Sequence, residues 1–287
     1  MAKKRIIITA ALTGAVTPKS LNPNMPITPQ EIADDAYRCW QAGASIVHLH
    51  MRTDDGVGCM DRDRFAETIR LIREHQDCDV IINCTSSGSQ APVTYEQRME
   101  HFETIPEIEM GSFDGNSFNW GDTGIFPNPP DFLVELAKCY QRNQIVPELE
   151  IFDMGFLGNS IRYWKQGLLP KTMYMQCVLG AQGAMDATPE NLQYLVNHFP
   201  EGTKWSAFGI GKGAMPIMYA ALAMGADGIR VGLEDNVIMG KDDNGNKIMA
   251  SNVLQVERAV RVIEEFGCKV AKPSEAREIL GIEQLKR

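Results

Sequence analysis

Two histidines stand two residues apart in the run Ser45-Ile46-Val47-His48-Leu49-His50. The run is β-branched enough to form a strand, and a strand's period of two turns both imidazoles to one side. Two neutral imidazoles plus one carboxylate leave a position open on Zn²⁺ or a similar divalent metal, as in a catalytic rather than a closed structural site. A satisfied core histidine beside a loop histidine is the bland alternative. The carboxylate is sought in Arg230-Val231-Gly232-Leu233-Glu234-Asp235-Asn236. Glu234 and Asp235 are adjacent and point differently, so one is free to ligate metal while the other pairs with Arg230; a solvated acidic turn competes with this reading. In Pro147-Glu148-Leu149-Glu150-Ile151-Phe152-Asp153 two glutamates alternate with apolar residues, and charges facing an interior are costly unless paired or used. Asn83-Cys84-Thr85-Ser86-Ser87-Gly88-Ser89 offers hydroxyls and N–H groups to a carboxylate or oxyanion, or else caps a helix. It lacks a GxSxG elbow and an adjacent base, which argues against acyl-enzyme chemistry. Gly209-Ile210-Gly211-Lys212-Gly213-Ala214 fits GxGxxG/A, and Gly211 and Lys212 are candidates for holding a phosphate.

These segments fall at the ends of short apolar runs that alternate with helical patterns along the chain, the signature of repeated βα units. Eight strands are expected at 5–10, 45–50, 80–84, 107–112, 148–152, 173–179, 204–210 and 228–233. Helices are expected at 29–42, 62–75, 95–102, 131–141, 157–166, 189–198, 214–224 and 252–266. Thr28 and Thr188 are start signals, and Gly43, Gly167 and Gly225 are stop signals. Eight units in 287 residues match one (β/α)8 barrel domain over residues 1–287, with a short extra helix at 274–280 lying outside it. A doubly wound sheet is the rival, but the glycine motif falls in the seventh unit rather than the first. Long loops at 12–28 and 113–130 follow strand carboxyl ends, where barrel active sites assemble.

Apolar residues make up 44% and charged residues 23% of the chain, close to an ordinary globular protein, which excludes collagen-like and coiled-coil classes. With 28 basic and 37 acidic side chains the net charge is −9, which disfavours nucleic acid and anionic membrane surfaces as partners. An anionic ligand must therefore be held locally. No apolar run approaches the roughly 18–20 residues of a membrane span, and the basic residues at 3–5 lead into a strand rather than a signal peptide. Seven scattered cysteines without a CxxC pair suit free thiols in a reducing cytoplasm.

The segments Thr9-Ala10-Ala11-Leu12-Thr13-Gly14-Ala15, His48-Leu49-His50-Met51-Arg52 with Asp54-Asp55-Gly56, Pro147-Glu148-Leu149-Glu150, Val178-Leu179-Gly180 and Gly232-Leu233-Glu234-Asp235-Asn236 together resemble the β-keto acid cleavage enzymes over nearly the whole chain. The resemblance implies a (β/α)8 barrel with Zn²⁺ on His48, His50 and Glu234, and a homo-oligomer, a tetramer in that family. It implies that a β-keto acid and acetyl-CoA, the co-substrate, give acetoacetate and a new acyl-CoA by Claisen condensation and retro-Claisen cleavage. Arg230, activated by Asp235 with support from Glu150, is implicated in removing the C2 proton. A free guanidinium is too weak a base for this, so a metal must acidify that position. Thr85 stands where the family has a Ser, and Ser86, Ser87 and Gly88 complete a carboxylate and oxyanion cradle. Lys212 would meet a CoA phosphate. Family members that act on an amino keto acid carry a Glu where this chain has Val16 and a smaller polar residue where it has Met110. The expected substrate tail is accordingly neutral or apolar, since an unpaired buried ammonium costs about 3–5 kcal/mol. A zinc hydrolase or aldolase on the same barrel would act without acetyl-CoA, and a non-catalytic NAD- or metabolite-binding barrel would hold no stoichiometric zinc.

Overall fold

The computed structural model describes residues 3–122, 124–283 and 286. Met1 and Ala2, ahead of the first expected strand, and Thr123 of the fourth loop lie outside the described residues. The main strands are β1 (Arg5–Ala11), β2 (Ile46–Leu49), β3 (Ile81–Cys84), β4 (Met110–Asp114), β5 (Val146–Ile151), β6 (Tyr174–Leu179), β7 (Lys204–Gly209) and β8 (Gly228–Val231). Each pairs in parallel with the next, and β8 returns to β1 through Ile7 opposite Gly228 and Thr9 opposite Arg230. The sheet is thus a closed eight-stranded barrel, with Lys269–Val270 as a further parallel strand on β1.

Helices α1 (Pro29–Ala42), α2 (Arg62–Glu74), α3 (Tyr95–Thr104), α4 (Pro130–Arg142), α5 (Met154–Lys165), α6 (Pro189–Val196), α7 (Ala214–Ala223) and α8 (Asn252–Glu265) follow the eight strands in turn. Their starts are chemically marked. Thr28 and Glu31 form a capping box on α1, Thr94 and Gln97 form one on α3, and Asp61, Asp153, Thr188 and Ser251 cap α2, α5, α6 and α8. Each cap satisfies amide donors that the first helical turn leaves unpaired. Between helices and sheet lies the main apolar layer, with Ile8, Val47, Ile82, Phe113, Leu149, Leu179 and Ile229 all fully buried. No described helix is long and apolar enough to cross a membrane.

Four expectations need correction. The last helix, α9 (Pro273–Leu280), does not lie outside the barrel. Ala276, Leu280 and Ile282 pack on Ile7, Ile46, Ile81, Met110 and Tyr174 at the strands' amino ends, plugging that mouth. Strand β4 begins at Met110 rather than 107, because Pro106 sits in a turn closed by the Ile108 amide on the Ile105 carbonyl at 3.3 Å. Helix α5 starts at Met154 rather than 157, because Asp153 accepts from the Gly155 and Phe156 amides. Strand β8 ends at Val231, leaving Glu234 and Asp235 in the following turn. Two of the carboxyl-end loops and the stretch after β2 also fold into short antiparallel hairpins, at Met51–Arg52 with Gly58–Cys59, Phe118–Asn119 with Ile125–Phe126, and Ile238–Lys241 with Lys247–Met249.

Candidate active site

The carboxyl ends of the strands surround a cavity of about 730 Å³. His48, the third residue of β2, and His50, just past its end, face the same side as expected, with ring centroids 5.1 Å apart. The turn after β8 brings Glu234 across to them, so that Glu234 Oε1 lies 3.9 Å from His48 Nε2 and 3.4 Å from His50 Nε2. One ligand atom from each of the three residues falls within 4.8 Å of the others. Burial pushes the His48 imidazole well below its ordinary pKa, which keeps it in the neutral form a metal ligand requires. Glu234 Oε2 is buried with no hydrogen-bond partner. An orphaned carboxylate oxygen beside two imidazoles fits a divalent metal.

Two glycines make room for this triad. A Cβ on Gly14 would stand 2.6 Å from Glu234 Cγ, and one on Gly88 would stand 2.3 Å from His50 Nδ1; both glycines have positive φ, 59° and 112°. Side chains at these positions would displace Glu234 and His50 as well as strain the backbone.

Arg230, on β8, is buried beside the triad and held by three carboxylates. Asp235 accepts from Nε and Nη2, both at 2.9 Å; Glu150 accepts from Nη1 at 3.1 Å, and Glu234 accepts from Nη2 at 2.6 Å. The guanidinium also stacks 4.4 Å from the centroid of Phe208. Burial works against its charge, but Asp235 and Glu234, then Glu150, hold its pKa well above the ordinary value. The interior carboxyls go the other way. Burial, reinforced by Asp114, raises Glu150 well above the carboxylate range, and burial with the charge of Glu150 lifts Glu148 to about 8. Glu148 therefore holds a proton that a solvated carboxyl would release at neutral pH, and burial raises Asp114 as well.

Thr85, Ser87 and Gly88 line the cavity, as does Val16 from the first loop. Thr85 Oγ1 donates to the Ser87 carbonyl at 2.8 Å, which shapes the turn. Ser86 is placed differently from the expectation: it is fully buried, its amide donates to Ser112 Oγ at 3.0 Å, and its carbonyl accepts from Arg98 at 2.6 Å, so it braces the turn from behind. Met110 is not at the mouth at all. As the first residue of β4 it packs against the α9 plug, because that strand begins three residues later than the expected 107. Gly211 and Lys212 form an exposed turn outside the cavity lining. The Gly211 amide donates to Asn236 Oδ1 at 2.7 Å and is closed to an anion. Sequence reasoning missed the aromatic wall, where Trp120, Ile125 and Phe126 of the fourth-loop hairpin join Phe152, Val178 and Phe208. The cue was Trp120 and Phe126 in a long polar loop, but only the hairpin turns them inward.

Fold and site together define a (β/α)8 barrel with a candidate metal centre and a carboxylate-clamped arginine at its carboxyl mouth. The chain belongs to the beta-keto acid cleavage enzyme family, whose profile matches residues 5–282. It is 38% identical over 281 residues to a 3-keto-5-aminohexanoate cleavage enzyme of Fusobacterium nucleatum, covering 98% of this chain and 99% of the relative. A 3-oxoadipate:acetyl-CoA acetyltransferase of Cupriavidus necator is 32% identical over 284 residues, covering 98% and 96%. Among solved structures, apo ObcA superposes with a TM-score of 0.82 at 20% identity, over 91% of this chain and 66% of that one. That likeness concerns the fold alone.

Proposed function

We propose that the protein is a metal-dependent β-keto acid cleavage enzyme, converting a β-keto acid and acetyl-CoA to acetoacetate and a new acyl-CoA. The observation that carries this reading is the buried Arg230, clamped by Asp235 and Glu150, directly beside His48, His50 and Glu234. These three residues would hold the metal, Zn²⁺ or a similar divalent ion, which when bound supplies Lewis-acid polarisation of the keto oxygen. Arg230 and Asp235 act as one unit on the C2 proton: a guanidinium nitrogen receives it while the guanidinium passes a proton to Asp235, and Glu150 keeps the plane of the group facing the cavity. Ser87 and Gly88 hold the substrate carboxylate with hydroxyl and amide donors, as such turns do, and Thr85 shapes that turn through its bond to the Ser87 carbonyl. Lys212, exposed at the rim, meets a phosphate of the CoA chain.

The tail of the keto acid is neutral or apolar. Glu150, Glu234 and Asp235, the carboxylates that line the cavity, are all engaged by Arg230, and no other acidic side chain is among the described residues that line it. Val16, which lines the cavity and is 63% exposed, offers no countercharge to an ammonium. The relative from Fusobacterium nucleatum is named for an amino-bearing substrate; by this reading the present chain prefers another tail. All seven cysteines are unpaired, which supports a reducing, cytoplasmic location, and the family resemblance supports a homo-oligomer, a tetramer. A screen of β-keto acids with acetyl-CoA, following acetoacetate, tests the function. Acetoacetate that forms only when acetyl-CoA is present supports it; equal turnover without acetyl-CoA would assign a hydrolase or aldolase instead.

A further inference from the structure

Glu148 is fully buried below the site and has no part in the reaction above. Its Oε2 accepts a hydrogen bond from Asn83 Nδ2 at 2.7 Å. That bond sets the sense of the Asn83 amide: the nitrogen faces Glu148, and Oδ1 is left on the other side, buried and without a partner. Asn83 lies opposite His48 in the register of β2 and β3. His48 turns Nε2 toward Glu234, and its Nδ1 is likewise buried without a partner. Two complementary orphans thus sit on adjacent strands. An imidazole that offers the Nε2 lone pair to a metal must carry its proton on Nδ1, and that N–H needs an acceptor.

We propose that Asn83 is a positioning residue for His48, its Oδ1 accepting from the Nδ1–H, with Glu148 holding the amide so that oxygen rather than nitrogen meets the ring. The opposite amide sense would present an NH₂ donor to Nδ1 and select the tautomer protonated on Nε2, which has no lone pair to give from that atom. Glu148 thereby acts on the metal centre through two hydrogen bonds and touches no reacting atom. The inference rests on the reading of His48 as a metal ligand.

The test is zinc affinity, measured by competition with a chromogenic chelator on the purified protein and on Asn83→Leu and Asn83→Asp, with circular dichroism to confirm folding. Loss of the acceptor in Asn83→Leu is expected to weaken zinc binding about 10–100-fold. Asn83→Asp keeps an oxygen for the Nδ1–H and is expected to stay within several-fold of the unaltered protein. A purely structural role would lower both in step with their stability. Unaltered affinity in Asn83→Leu, or an equal loss in Asn83→Asp, would overturn the proposal while leaving the metal reading intact. No zinc binding by the unaltered protein would overturn the metal reading and this proposal together. If Asn83→Leu does not fold, the ¹⁵N imidazole shifts of the zinc-free protein decide: an Nδ1–H tautomer at His48 supports the proposal and an Nε2–H tautomer overturns it.

Discussion

Arg230 works through its shape as much as its charge. Asp235 grips it along two nitrogens, Glu150 and Glu234 take others, and a compact ammonium cannot meet three carboxylates in those directions. Arg230→Lys is therefore expected to lower kcat about as far as Arg230→Ala, by roughly 10²–10⁴-fold, the range for a positioned acid–base group; steady-state kinetics on both variants checks it, and a near-normal Lys variant would reduce Arg230 to a charge. Val16 sets the second prediction. Val16→Glu places a carboxylate that Arg230 does not already hold at the partly open wall, and it should move kcat/KM toward a 5-amino keto acid relative to its 5-methyl analogue by about 10–200-fold. Preference for the amino substrate in the unaltered protein would contradict the tail assignment. His48, His50 and Arg230 were readable because strand periodicity fixes sidedness within a few residues. Glu234 was separated from Asp235 only by the family resemblance, and the turn after Val231 shows why, since it directs one to the histidines and both to Arg230. Asn83, Asp114 and Glu148 were not assigned, because their roles come from register between strands far apart in sequence.

At the scale of elements, helix starts were legible to within a residue wherever a capping residue or a proline opens the first turn, as at Thr28, Thr188 and Pro273. The exception was α5, whose cap Asp153 reads equally well as the end of β5. The plug formed by α9 was not legible, because its amphipathic face gives no sign of which end of a barrel it covers. Its anchor is an ion pair that sequence cannot place: Arg277 donates to Glu109 at 2.7 and 2.9 Å, and Glu109 is fully buried just ahead of β4. Arg277→Met leaves that carboxylate without its main partner. Breaking such a pair costs about 3–5 kcal/mol, and the low end is expected because Arg73 remains 3.3 Å away. Urea unfolding should show this loss with catalysis per folded molecule unchanged, since the plug sits at the end of the barrel opposite the cavity. A destabilisation below about 0.5 kcal/mol, typical of a surface change, would contradict the anchoring role.

For the whole molecule, the alternation of strand and helix gave the barrel its outline from sequence alone, while the three hairpins and the extra strand on β1 add short elements whose pairing no local pattern announces. The barrel is held by its closed parallel ladder and the apolar layer beneath the helices, and the candidate metal site occupies only its rim. His48→Ala and His50→Ala are thus expected to abolish metal content and turnover while shifting Tm by no more than about 4 °C, the effect of roughly 1 kcal/mol in a chain of this size; full metal occupancy in both variants would remove these residues from the centre. The central claim is that the acetyl group of acetyl-CoA is joined to the C1–C2 unit of the keto acid while the tail leaves on CoA. The most direct measurement is the fate of ¹³C from acetyl-labelled acetyl-CoA after incubation with a neutral-tailed β-keto acid. The mechanism predicts label at C3 and C4 of acetoacetate and none in the new acyl-CoA; unlabelled acetoacetate, or label in the acyl-CoA, would contradict it.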